Sequence, residues 1–169
     1  LSNKIKPGKE VVTLILGGPN KYYKFTKENI ENVFLKITEN FIKKNFQLIV
    51  VPSIRTPKDI IKFANEHYGK DHLVINEVDK KAYLSALGLS KFIVVTCDSS
   101  SMISEAAITG KPVYVADIPA TKNNYRFRKF ISLFKELNIV RILDSKIENW
   151  SYEGLDEANR VAKEIKNKF

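Results

Sequence analysis

The chain has 169 residues, room for one domain with a substantial buried core, and its 44% hydrophobic and 28% charged residues are those of a globular protein. No apolar run is long enough to span a bilayer, and a single cysteine excludes an internal disulfide framework or a cysteine-cluster zinc site. The net charge of +9 and pI near 9.5 suit an anionic partner, yet the excess is lysine scattered among Asn and Ile, as an AT-rich genome would also produce.

Residues 1–10 hold Pro7 and Gly8 without periodicity and read as a linker into a single domain over residues 11–169; they lack the apolar core of a secretory leader. VVTLIL at Val11–Leu16 reads as a buried strand running into Gly17-Gly18-Pro19-Asn20. Paired glycines there serve either close backbone approach to a ligand or a tight exit from the sheet. Thr26 is expected to cap a helix whose apolar stripe is Ile30, Val33, Phe34, Ile37 and Phe41. The second strand is Gln47–Pro52, followed by Ser53-Ile54-Arg55 and a helix start with Thr56 as N-cap, Pro57 at its first position and Asp59 behind it. Arg55 at that edge suits either a phosphate contact or a surface ion pair. Ile60, Ile61 and Ala64 should be the buried side of that helix.

A short third strand is expected over residues 72–76, and a helix over 80–87 with Ala82, Tyr83, Ala86 and Leu87 inward. The chain then reaches its most informative stretch, residues 91–119. The apolar run 92–95 gives a strand, Asp98 and Ser99 are candidate N-caps, and Ser100, Ser101 and Ser104 place hydroxyls in the following turn. Met102, Ala106 and Thr109 fall on one helical face, while Ser101 and Glu105 lie four apart on another. Gly110 and Pro112 end the helix, and residues 111–115 begin another strand. Such a turn is an anion seat, and an acidic residue one turn on accepts bonds from sugar hydroxyls; it is equally a serine-rich cap, and residue types leave both open. Cys97 reads as a small buried residue.

Residues 120–129 form the locally basic and aromatic patch, with Lys122, Arg126, Arg128 and Lys129 beside Tyr125 and Phe127, and lead into a helix through Phe130, Phe134 and Leu137. A last strand is expected at 139–143 and a final helix at 155–165, with Trp150 and Tyr152 anchoring the connection. The alternation of strands and helices is that of an α/β, three-layer, doubly wound, mostly parallel sheet of Rossmann-like type, whose ligands gather at the carboxyl ends of the strands. Gly17, Gly18, Asn20, Ser53, Arg55, Asp98, Ser99, Ser100, Ser101 and Glu105 would then share one rim as a nucleotide and phosphate site.

LILGGPNKYYKF, VPSIRTP, VVTCDSSSMISEAAITGKPVYV, YRFRKF and WSY-x-x-LDEANRVA together resemble the family of the elongated-mitochondria fission factor and its alphaproteobacterial relatives. Members are about twice this length, so the resemblance implies the C-terminal half of a two-domain protein. More distantly, Ser101, Glu105, Ala106, Gly110 and Pro112 are similar to the donor half of B-fold (GT-B) glycosyltransferases. That likeness implies Glu105 on ribose hydroxyls, Ser99, Ser100, Ser101, Gly17 and Gly18 on a diphosphate, and Arg55 on a phosphate or sugar group. The name nucleoside-diphosphate-sugar epimerase, often given to such relatives, does not fit residues that lack G-x-G-x-x-G in the first turn and a Tyr-x-x-x-Lys pair.

The expected function is therefore a nucleotide-sugar-binding, glycosyltransferase-like domain of envelope glycan or glycolipid synthesis, without catalytic residues of its own and inactive without its N-terminal half. Its ligand would be a nucleoside diphosphate or nucleotide sugar, with no cofactor or metal required, no nucleic acid partner and a location in the cytoplasm, free or on the cytoplasmic side of a membrane. The alternative is a non-catalytic adaptor, as the fission-factor resemblance suggests, that touches a protein or an anionic membrane surface through Lys122, Arg126 and Arg128.

Overall fold

A computed structural model describes residues 1–144 and 146–155, and among these six strands form one sheet in the order β3-β2-β1-β4-β5-β6. The strands are β1 (Val11–Leu16), β2 (Gln47–Pro52), β3 (Leu73–Val74), β4 (Phe92–Thr96), β5 (Val113–Ala116) and β6 (Val140–Ile142), and every pairing is parallel. The helices are α1 (Lys27–Asn40), α2 (Lys58–Tyr68), α3 (Lys80–Leu89), α4 (Ser100–Ala107) and α5 (Tyr125–Glu136). This is the doubly wound α/β fold expected from the alternation.

Central strands β1, β2, β4 and β5 are buried throughout, which is why they read as unbroken apolar runs and not as alternating ones. The chain winds outward from β1 to β3 and then crosses back to β4 on the far side of β1. Right-handed crossovers consequently place α1 and α2 on one face of the sheet and α3 and α4 on the other. Side chains record both faces. Phe34 of α1 stacks on Phe63 of α2, and the Tyr68 hydroxyl donates to the Phe34 carbonyl at 2.9 Å. On the opposite face, Ser90 donates to the Thr13 hydroxyl of β1 at 2.6 Å, locking the end of α3 against the sheet.

Several local expectations change. Strand β3 is only two half-buried residues at the sheet edge, and α3 runs on to Leu89. Phe41 is fully buried but caps α1 with non-helical backbone. Thr56 does not cap α2, because its hydroxyl is engaged with the end of β1; Pro57 holds the cap position without a side-chain bond. Ile61 is half-buried beside the fully buried Ile60 and Ala64. The inward face of α4 is Ile103, Ala106 and Ala107, with Met102 and Thr109 on its flanks. Leu137 follows α5 and is 54% exposed. Trp150 packs edge-on to Tyr114, under the Arg141 guanidinium. The expected final helix lies outside the described residues except for Leu155, whose N–H reaches the Ala107 carbonyl. Within residues 1–10, Leu1 and Ile5 pack on Val11, Ile49, Val51 and Ala86.

Candidate functional site

The ends of β1, β2 and β4 meet at the point where strand order reverses, and the group they meet around is Asp98. Its side chain is wholly buried. One carboxylate oxygen accepts from Gly18 N–H and from Arg55 Nη2, both at 2.9 Å, and the other accepts from the Thr96 hydroxyl at 2.6 Å. Thr96 in turn accepts from Gly17 N–H at 2.9 Å, and Arg55 Nη1 donates to the Gly18 carbonyl at 2.8 Å. Asn20 Nδ2 donates to the Asp98 carbonyl, while Asn20 Oδ1 accepts from Tyr22 and Tyr23 N–H and turns the chain toward α1. The Thr56 hydroxyl lies 2.9 and 2.6 Å from the Leu16 and Gly17 carbonyls and accepts from Ser53 N–H.

This network corrects one expectation. Asp98 is not a helix cap; it lies one residue too early and turns back across β1. The amides of Gly17 and Gly18 donate to the Thr96 hydroxyl and the Asp98 carboxylate, so both are bonded within the chain. The glycines remain indispensable sterically: a Cβ on Gly17 would stand 2.1 Å from the Asp98 carboxylate, and one on Gly18 would stand 2.1 Å from the Arg55 carbonyl. Arg55 makes the ion pair, but a buried one with Asp98.

Ser99 is the N-cap of α4; its hydroxyl accepts from Met102 N–H at 3.5 Å and lies 3.2 Å from the Ser101 hydroxyl. Ile103 N–H makes the first intrahelical bond, to the Ser99 carbonyl, so the amides of Ser100 and Ser101 precede the first intrahelical donor and carry the positive end of the helix. A cleft of about 800 Å³ opens between α3 and α4; of the expected site residues Ser53 and Glu105 line it, while Gly17, Gly18, Asn20, Arg55, Asp98, Ser99, Ser100 and Ser101 do not. Ile15 is in its floor, Ser53 at its upper edge, and Tyr83, Met102, Glu105 and Ile108 along its walls. Glu105 is exposed there, and one of its oxygens accepts from the Tyr83 hydroxyl at 2.9 Å. Burial first, and then the Glu105 carboxylate, push the Tyr83 phenol above its ordinary pKa, so it stays a donor. Lys111 closes the foot of the cleft, donating to the Leu87 and Gly88 carbonyls at 2.7 and 2.6 Å; burial lowers its pKa.

Lys122, Arg126 and Arg128 are exposed and do not line the cleft. Arg126 and Arg128 are on α5 and not in the expected loop, and the segment is fastened beside the end of β1: Tyr23 and Ala120 form a bridge, Thr121 N–H donates to the Tyr22 carbonyl at 2.7 Å, and Phe127 of α5 packs edge-on against Tyr22 and Tyr23. Cys97 is buried and its thiol accepts from Ile118 N–H. Among the described residues no group of three acidic, His or Cys side chains is arranged to hold a metal. Sequence reasoning passed over Thr96, took Thr56 for a helix cap and took Tyr83 for a core residue. Tyr83 reads as one more apolar residue on a helix stripe; Thr96 and Asp98, two apart after a buried strand, were the available hint that both side chains turn the same way.

The family model described as mitochondrial fission ELM1 matches residues 2–169. An uncharacterized protein, RP120, of Rickettsia prowazekii (strain Madrid E) is 32% identical over 94% of this chain and 46% of its own length. Mitochondrial fission protein ELM1 of Arabidopsis thaliana is 31% identical over 69% of this chain and 28% of its own length. The chain thus spans less than half the length of these curated relatives. Among solved structures, a wall teichoic acid polymerase TagF is similar at TM-score 0.42 and 11% identity, over 66% of this chain and 26% of that one.

Proposed function

The chain belongs to the mitochondrial fission ELM1 family, and from that premise we propose that it is the nucleotide-sugar-binding, glycosyltransferase-like half of a longer protein. The observation that carries the reading is a cleft whose wall holds an exposed acceptor for sugar hydroxyls, Glu105, on the same helix whose first turn carries Ser100 and Ser101. Ser101 is four residues before Glu105 on α4, about 6 Å along the helix axis. That spacing matches the reach from a ribose diol to the phosphates carried on C5′. The base would rest against Ile15, Tyr83 and Met102, the ribose hydroxyls would donate to Glu105, and the Ser100 and Ser101 amides would face the diphosphate.

In this reading the domain supplies positioning and stabilises charge on a departing diphosphate, and residues of another domain supply the general base. Asp98 and Arg55 contribute by holding the loop after β1 rigid beside α4. Envelope glycan or glycolipid assembly is the synthesis such a donor domain would serve. Calorimetry with ADP, GDP, CDP and UDP tests the proposal. Binding of at least one is expected, with loss on Glu105→Ala and an unaltered unliganded melting temperature, because Glu105 is exposed. Absence of binding by all four refutes it.

A second reading, an adaptor without chemistry, is favoured by the outward display of Arg126, Arg128 and Tyr125, the last 60% exposed. It predicts pelleting with phosphatidylserine-containing vesicles that is lost on Arg126→Gln plus Arg128→Gln, and no nucleotide binding.

A further inference from the structure

Glu105 is held by a neighbour from a different helix. Asp79 caps α3, accepting from Lys81 and Ala82 N–H at 2.8 and 3.1 Å, and this fixes the rotation of the helix so that Tyr83 leans over the cleft. The Tyr83 ring is half-buried against the core, so its hydroxyl is a fixed point. Glu105 by contrast is a long, exposed side chain whose carboxylate would otherwise sample many rotamers. The bond from the Tyr83 hydroxyl to Oε2 at 2.9 Å removes that freedom. A carboxylate accepts through about four lone-pair sites. With one occupied by Tyr83, the others include adjacent sites on both oxygens, the arrangement that takes two O–H donors from neighbouring carbons.

We propose that Tyr83 is the positioning residue that orients Glu105 to read a vicinal cis-diol, so that the cleft selects ribonucleotides over their 2′-deoxy counterparts. The inference rests on the nucleotide reading of this cleft, in which Glu105 meets the ribose hydroxyls, and adds to it the residue that makes that contact selective. A 2′-deoxy ligand leaves one oriented acceptor of a charged group without its donor. Sites built to bond a hydroxyl reject the analogue lacking it far more strongly than apolar pockets reject an extra methylene. Tyr83 itself touches no reacting atom; it acts through Glu105.

The test compares, by calorimetry on this chain, the affinity of each ribonucleoside diphosphate that binds with that of its 2′-deoxy form. The unaltered chain should favour the ribo form by about tenfold or more. Tyr83→Phe should keep the ring, the fold and measurable binding, while the ribo-to-deoxy ratio falls toward one. Glu105→Asp, which keeps the charge but withdraws it from Tyr83, should lower the ratio in the same way and serves if the first variant does not fold. A ratio near one in the unaltered chain, or a ratio unchanged in the variants, overturns the inference while leaving nucleotide binding in place. If none of the four diphosphates binds, the nucleotide reading falls and this inference with it.

Discussion

Replacing Asp98 with alanine separates a structural hub from a ligand contact. The substitution leaves Gly18 N–H and the Thr96 hydroxyl without their acceptor in a buried site, and strips Arg55 of its partner. A buried donor left unpaired costs about 1–3 kcal/mol, and breaking a fully buried ion pair costs about 3–5 kcal/mol. Arg55 limits the damage. Its side chain is 35% exposed and its Nη1 retains the Gly18 carbonyl, so the guanidinium recovers hydration that a buried cation would forfeit. The expected loss is therefore about 3 kcal/mol, which for a domain of this size lowers the melting temperature by roughly 6–12 °C. Urea denaturation at pH 7 and calorimetry both measure it. A cycle with Arg55→Ala should show coupling of at least about 0.5 kcal/mol, since the two side chains touch. A fall of less than about 1 kcal/mol for Asp98→Ala, or additive behaviour in the cycle, would refute the claim that this carboxylate holds the β1 and β4 ends together.

Two further outcomes follow from buried titratable groups. Burial pushes the Cys97 thiol up to about 12, so at pH 8 it should resist a disulfide reagent in the folded chain and react at once in denaturant; rapid labelling of the native protein would contradict its placement. His72 accepts from Leu48 N–H through Nδ1, and burial, with Lys6 and Lys9 adding to it, lowers its pKa below the ordinary 6.5. The unfolded chain then binds the proton more readily, so stability is present above pH 6.5 and declines as pH falls from there toward the folded value. His72→Gln should flatten that part of a stability-against-pH curve.

Much of the architecture is legible locally. Apolar stretches within 11–16, at 48–51 and at 92–95 announce strands covered on both faces, and Thr26 caps α1 because a cap is a contact three residues long. Convergence of the turns on one rim follows from parallel winding alone. Misplaced details were of another kind. Thr56 has the sequence of a helix cap, but its hydroxyl finds the carbonyls of Leu16 and Gly17, about forty residues away. Leu137 completes an apolar stripe that the end of α5 carries past the sheet into solvent. Tyr83 has the pattern of a core residue, and only the approach of α3 to α4 gives its hydroxyl a carboxylate to hold.

The amino-acid order by itself determined the alternation of elements, the buried strands and the clustering of polar turns along one edge, because each of these depends on periodicity and neighbours. Which of those polar groups are bonded within the chain and which stay exposed was decided by the tertiary structure alone. Asp98 and Gly18 are 80 residues apart in the chain, and only the pairing of β1 beside β4 brings the carboxylate to the glycine amide. Hydrogen-bond donors are satisfied by whichever acceptor the fold delivers first. The Gly17-Gly18 amides are therefore taken up by Thr96 and Asp98 of the same chain, while Glu105 stays exposed in the gap between two helices.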